Sequence, residues 1–290
     1  MSDAWRNLNR VVKTPADAIL YACILEATAP KPGNVHPTAS FDDLSFEDFV
    51  TAANIGARTM TQSSRSVGRR VHDTVVEVIE QTSTNVNLGI TLLLAPLIAA
   101  EESGSPIDRA AWSSSCGEWL ETLSPADGQA IGQAIVAATP GGMDVELPPH
   151  QDSLDVAQTI GPSFDLMAGM RIAAERDTIA KLYVTRMNAL FEIVVPTIES
   201  AVGFHGDVLA GIVRAHVELI ARFGDTLIAR KCGEEISQQA ADLAAASLRS
   251  DPMDVAALDA FLRGDGHRRN PGTTADLIAA GLYVILRDPN

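Results

Sequence analysis

Cysteine is scarce. The 290 residues hold three, Cys23, Cys116 and Cys232, far apart and odd in number. No Cys-x-x-Cys or Cys/His ligand spacing occurs, which argues against zinc and suits a reducing, cytoplasmic compartment. Aromatic residues make up only 5% of the chain. Positive charge is short as well: 22 Lys and Arg stand against 37 Asp and Glu, a net charge of −15. Nucleic-acid backbones need clustered cations, so a general nucleic-acid binder is excluded. A nucleotide site is not, because a few local cations or a carboxylate-bound metal can hold a triphosphate. Long apolar runs are missing too. The longest, Leu88 to Ala100, has 13 residues and includes Pro96. It is too short to span a bilayer and reads as a buried helix, so no membrane partner is expected. The polar, mixed-charge N-terminus reads as no signal peptide.

Period-two alternation of apolar and polar residues is absent throughout, and helical period replaces it. Hydrophobic residues at 46% and charged ones at 20% give a globular composition. Thr14-Pro15-Ala16-Asp17 is a helix start, with a hydroxyl cap, proline at the first position and an acid three residues on. Ile19, Leu20, Cys23, Ile24 and Ala27 then share one face. Pro30, Pro32 and Pro37 end that helix. Ser45-Phe46-Glu47-Asp48 opens a second, and others are predicted near 68–82, 88–102, 106–121, 125–138, 152–160, 163–175, 177–200, 206–222, 233–249 and 253–263. The last runs from Thr273 or Thr274 to about Arg287. The fold class is therefore all-α, a single multi-helix, bundle-like domain over 1–290. Loops rich in Pro and Gly lie at 30–43, 139–151 and 264–272, and the middle one is the place for a hinge if there are two halves. The sequence leaves a homodimer open.

Four segments can carry chemistry. In Glu26 through Pro37 a helix end delivers a carboxylate, and a stiff loop presents Lys31, Asn34 and His36. Proline on both sides of Lys31 restricts the backbone, and Gly33 permits close approach. That suits a phosphate, although a plain helix-stop loop with a solvated lysine has the same letters. In Thr84-Asn85-Val86-Asn87-Leu88-Gly89, polar side chains precede an apolar helix whose free N–H groups favour an anion; Thr84 or Asn85 can equally be a simple cap. Asp225 through Gly233 places an acid ahead of Arg230 and Lys231, which can grip phosphates or merely face a helix C-terminus. In Asn270-Pro271-Gly272-Thr273-Thr274-Ala275-Asp276, the pair Thr273 and Asp276 has capping-box spacing. Asp276 is thus either a cap or a cleft carboxylate.

Taken together and in this order, Glu26 with Pro30-Lys31-Pro32-Gly33, Thr84-Asn85-x-Asn87-x-Gly89, Asp225-Thr226 with Arg230 and Gly233, and Pro271-Gly272 with Ala275-Asp276-Leu277 resemble the triphosphoribosyl-dephospho-CoA synthase family, known from the citrate lyase and malonate decarboxylase systems. The resemblance spans residues 26 to about 280. It implies an all-helical fold and a reaction of ATP with 3′-dephospho-CoA. A ribose hydroxyl of the acceptor attacks the anomeric carbon of ATP, adenine leaves, and the product is the precursor of a prosthetic group for an acyl carrier protein. Two departures stand out. Asn87-Leu88 occupies the place of a His-Lys pair, and Phe41-Asp42-Asp43-Leu44 that of a His-x-Asp-Met segment. They keep two further readings open: a related nucleotide-dependent transferase with another acceptor, as in pterin-linked one-carbon cofactor synthesis, or a non-catalytic nucleotide-binding helical protein.

Ribosyl transfer through an oxocarbenium-like state needs a base for the hydroxyl, a donor for the departing base and charge neutralisation on the phosphates. On this reading Asp276, Asp225 and Glu26 are the catalytic carboxylates, and Asp225 and Asp276 are the Mg²⁺ ligands, the metal being inferred from the triphosphate. Lys31, Arg230 and Lys231 contact phosphates, and Asn85 and Asn87 orient sugar or base. Gly33, Asn34, His36, Asp42, Thr84, Gly89, Asn270, Gly272 and Thr273 complete the substrate site.

Overall fold

The structure, a computed structural model, describes residues 10–104, 108–139 and 164–288 together with Trp5 and Leu8. The helix predicted over 152–160, and the middle loop beyond residue 139 with its hinge, lie outside the described residues. The fold is all-α: α1 (Pro15–Thr28), α2 (Phe46–Thr59), α3 (Val67–Thr82), α4 (Leu88–Glu102), α5 (Arg109–Glu121), α6 (Pro125–Ala138), α7 (Leu166–Ala173), α8 (Thr178–Val184), α9 (Val195–His205), α10 (Val208–Phe223), α11 (Thr226–Cys232), α12 (Glu234–Leu248), α13 (Ala256–Arg263) and α14 (Gly272–Arg287). Among the described residues, β-type structure is confined to the bridges His36–Ala39 and Phe41–Leu44 and to the short segment Gly264–His267. The predicted starts of α1 and α2 are real capping boxes. Asp17 N–H donates to Thr14 Oγ1 at 3.1 Å while Thr14 N–H donates to Asp17 Oδ2 at 2.9 Å. Ser45 and Asp48 repeat the motif.

Helices α4 and α14 form the centre. Both are buried almost all round, as helices without a polar face must be. Pro96 sits inside α4 and has no N–H, so the carbonyl of Leu92 loses its helical partner. The Tyr183 hydroxyl supplies the missing donor, at 2.7 Å from Leu92 O. Trp112 Nε1–H donates to Leu97 O at 3.0 Å and ties α5 to the same helix. At its far end Glu101 accepts from Tyr283 Oη at 2.7 Å and from Arg287 Nε at 2.9 Å, which sets the register of α14 against α4. A smaller core of Val217, Ile220, Ile228, Ala240, Ala244, Leu258 and Leu262 joins α10 to α13.

The helix predicted over 177–200 is broken. Helix α8 ends at Val184, and Arg186 and Met187 adopt φ of 57° and 63°. The chain resumes through a π-helical turn, Leu190–Val194, into α9. Met187 N–H donates to Leu182 O at 2.7 Å, a bond that a continuous α-helix does not make. Neither Gly nor Pro occurs between 184 and 195, so the sequence offers no punctuation there.

Candidate functional site

The starts of α4 and α14, the end of α1, and helices α6, α7, α8 and α11 enclose a cavity of about 450 Å³. All four sequence segments reach it. Glu26, Asn34, Thr84, Asn85, Gly89, Arg230, Lys231, Asn270, Gly272, Thr273 and Asp276 line its wall.

Two aspartates trade the parts that sequence spacing suggests. Asp276 has capping-box spacing from Thr273, yet the start of α14 is capped from elsewhere. Thr274 donates to Asp225 Oδ2 from both its N–H and its hydroxyl, each at 2.8 Å. The other oxygen of Asp225 accepts from Leu227 N–H at 2.9 Å and Ile228 N–H at 3.1 Å, capping α11. Asp225 is 2% exposed, and four donors occupy its two oxygens, so one buried carboxylate fastens two helix starts. Burial pushes its pKa upward, against those four donors.

Asp276, relieved of capping, lies against the start of α4. A Cβ on Gly89 would fall 1.9 Å from its Oδ2, so only glycine leaves room for it there. Its pKa stands well above the ordinary carboxylate range. Burial is the main cause, the nearby Glu26 and Asp225 carboxylates add to it, and Arg230 and the Ile90 N–H oppose it. These surroundings disfavour its ionised form.

Glu26, at the end of α1, is 2% exposed, and its Oε1 lies 2.9 Å from Lys31 Nζ. Lys31 is fully buried and also donates to the Glu26 carbonyl. Its side chain thus turns inward, onto Glu26, and it does not line the cavity. Burial, with Glu26 and Asp276 nearby, pushes the Cys23 thiol up to about 12.

The cations of the cavity are Arg176, Arg230 and Lys231. Arg230 is ion-paired with Asp177, which also caps α8 by accepting from Ala180 N–H at 2.9 Å. Arg176 and Lys231 are close enough to Arg230 to be felt electrostatically by it or through it. Apolar side chains also line the cavity, among them Phe49, Ile90, Ile135, Phe164, Met170 and Ile179. Asn34 and Asn270 line the cavity with Oδ1 atoms that are buried and accept no hydrogen bond. Asn85 caps α4 through Oδ1, accepting from Leu88 N–H at 3.2 Å, and its Nδ2 donates to Ala138 O at 3.3 Å.

Several predicted residues do not line the cavity. Asn87 is buried at the first turn of α4. Gly33, at φ +76°, donates its N–H to Asp259 Oδ1 at 2.8 Å, and a Cβ there would meet Leu262 at 2.6 Å. His36 pairs locally with Thr38 Oγ1 at 3.1 Å, and Asp42 is exposed. The neighbouring acid Asp43 does line the cavity, hydrogen-bonded to His267 Nδ1 at 2.9 Å. Arg176, Asp177, Asp43 and His267 are additions that spacing did not single out. An Arg-Asp-Thr helix start was the only signal, and Asp43 and His267 are too distant in sequence to show one. For a resident Mg²⁺ the donor set fits poorly. Asp225 has no vacant lone pair, and among the described residues no group of three or more His, Cys, Asp or Glu is placed to hold a metal.

Comparison with known proteins bears on this geometry. The sequence model of the ATP:dephospho-CoA triphosphoribosyl transferase family matches residues 12–290. Among solved structures, a provisionally assigned triphosphoribosyl-dephospho-CoA synthase from Archaeoglobus fulgidus superposes with a TM-score of 0.61 at 22% identity, covering 84% of this chain and 98% of its own. That likeness bears on the fold. No curated protein matches the sequence significantly. Among the described residues no helix is long and apolar enough to cross a membrane.

Proposed function

The chain belongs to the ATP:dephospho-CoA triphosphoribosyl transferase family, and on that premise we propose that its cleft is where the triphosphoribosyl group of ATP passes to a ribose hydroxyl of 3′-dephospho-CoA and adenine departs. The observation that carries this reading is the convergence of four segments, up to 250 positions apart, on one cavity that sets a carboxyl pair beside a cluster of cations. Arg176, Arg230 and Lys231 take the phosphates, a concentration of positive charge on a chain of net charge −15. The apolar wall receives the adenine, and the free Oδ1 atoms of Asn34 and Asn270 accept from its amino group or from ribose hydroxyls. We read Mg²⁺ as part of the MgATP substrate, held by the phosphates, and the compartment as the cytoplasm.

The carboxyl pair divides the proton work. The acceptor's hydroxyl oxygen forms a bond to C1′ of ATP as the bond from C1′ to N9 of adenine breaks. The hydroxyl proton passes to Glu26, and the electron pair leaves with adenine, which is protonated by Asp276. Two carboxyl groups in unlike surroundings are the usual way to hold an acid and a base in one site. Asp225, whose oxygens are all occupied, serves the scaffold. A transferase for a different phosphorylated acceptor is the second reading, and Asn87-Leu88 favours it: where the family has a cation and an acid–base group, a buried amide and an apolar wall stand. Incubation with ATP and 3′-dephospho-CoA, followed by mass spectrometry, tests both. The first reading expects adenine together with a product heavier by the triphosphoribosyl group. Adenine formed only with another acceptor supports the second. No adenine with any phosphorylated acceptor rules out both.

A further inference from the structure

Lys31 sits in the loop that looks most like a phosphate grip, and its geometry gives it another task. The side chain is 0% exposed, its ammonium is 2.9 Å from Glu26 Oε1, and it also donates to the Glu26 backbone carbonyl. Pro30 and Pro32 flank it, so the backbone on either side has little freedom to swing the ammonium outward. His216 of α10 is also fully buried, and burial and the lysine charge push its pKa well below the usual imidazole value. A phosphate cannot reach Nζ without displacing Glu26. The groups around the Glu26 carboxylate are Cys23 of its own helix, Lys31, and Asp276 from α14, with Arg230 beyond Asp276. Lys31 is the cation that meets Glu26 directly, while Asp276 is left facing a second carboxylate.

We propose that Lys31 is a positioning residue that acts through Glu26: its buried ammonium, 2.9 Å from Glu26 Oε1, holds that carboxylate at the cavity wall, so that Glu26 accepts the hydroxyl proton and Asp276 is left to serve the leaving base. This assignment rests on the proposed reaction. Because the lysine balances one charge of the pair, removing it disturbs which carboxyl holds the proton, and removing Glu26 as well leaves nothing for it to act on.

The test uses Lys31→Met, Glu26→Gln and the double variant of the full chain, with adenine release as the assay. Lys31→Met is expected to lower kcat by about 100-fold, the scale of general acid–base catalysis. KM for ATP should stay within about threefold, since ground-state phosphate binding is untouched. The acidic limb of the kcat/KM profile should move to higher pH, because a carboxylate that loses its cation binds protons more tightly. A purely structural role would not move that limb. The double variant should be no slower than Glu26→Gln alone, the signature of residues acting as one unit. A rise of about tenfold or more in KM for ATP with kcat retained would make Lys31 a phosphate ligand and overturn the proposal, as would losses that multiply in the double variant. Should Lys31→Met fail to fold, the double variant, with no unbalanced charge in the pair, carries the test by calorimetry with ATP. Wild-type affinity is expected, and binding about tenfold weaker refutes it. Wild-type protein that binds ATP but releases no adenine refutes the proposed reaction and leaves the calorimetric arm to decide on Lys31.

Discussion

Gly89→Ala should damage the chemistry far more than the fold. The new methyl group would sit 1.9 Å from Asp276 Oδ2, 2.4 Å from its Cγ and 2.8 Å from Ile179 Cδ1. Ordinary contact begins at 3.4 Å, so the carboxyl group must retreat by about 1.5 Å (3.4 less 1.9 Å), out of reach of the Ile90 N–H. A misplacement of about 1 Å costs on the order of 10²-fold in rate, and kcat is expected to fall by about 10²–10³. For stability two effects oppose each other. Alanine in a helix gains about 1 kcal/mol over glycine, whereas overpacking costs about 1–3 kcal/mol, so the net loss is about 0–2 kcal/mol. Adenine release measures the first quantity and calorimetric melting the second. Gly203→Ala in α9 is the control, because its methyl group meets nothing within 4 Å; it should melt slightly higher and turn over normally. A well-folded Gly89→Ala enzyme with wild-type kcat would show that Asp276 does not act from the position described.

Asp276→Asn should lower kcat by about 10²–10⁴, since an amide cannot deliver a proton to adenine. The same change should raise stability at neutral pH. A carboxyl whose folded pKa is raised costs nothing below the unfolded value near 3.9, and disfavours the folded state as pH climbs from there toward the folded pKa. The melting advantage of the variant should therefore vanish near pH 3, and an advantage independent of pH would contradict the assigned proton. Asp225→Asn should do the reverse. It turns an NH₂ group toward donors that now have a carboxylate, at a cost of about 1–3 kcal/mol, visible as a lowered urea midpoint with kcat per folded molecule little changed. Arg176→Ala should raise KM for ATP about tenfold or more, with a steep salt dependence that the variant loses; an unchanged KM removes Arg176 from the phosphate site.

Helix positions were legible because their signals are local. Thr14 with Asp17, Ser45 with Asp48, and Ser124 with Pro125 each act within one turn. The break after Val184 was not, because its left-handed pair is Arg-Met, residues that announce no turn. The same contrast holds at the cavity. Glu26, Asn85, Arg230 and Asp276 belong to compact motifs and reach the wall. Which of two aspartates caps and which faces the cavity is a question of tertiary packing. Thr273 and Asp276 have the local spacing of a cap, but Asp225 arrives from 49 positions upstream and takes the N–H first. The inward turn of Lys31 is equally invisible, since a lysine between prolines has the same letters whether it faces a ligand or a carboxylate.

The proline in α4 has a bearing on how the molecule is assembled. A helix normally closes its own hydrogen-bond ladder, but residues 88–102 cannot, because the acceptor at Leu92 waits for a hydroxyl 91 positions later. Burying α4 before Tyr183 is in place would strand a carbonyl in an apolar interior, at about 1–3 kcal/mol. Helix α8, at seven residues, is in turn too short to persist in water by itself. Each is therefore incomplete without the other: the most apolar helix becomes a finished core element only when the wall of the cavity is mounted on it. Synthesis from the N-terminus delivers the core helix before its missing donor, so α4 cannot be finished until α8 has been made.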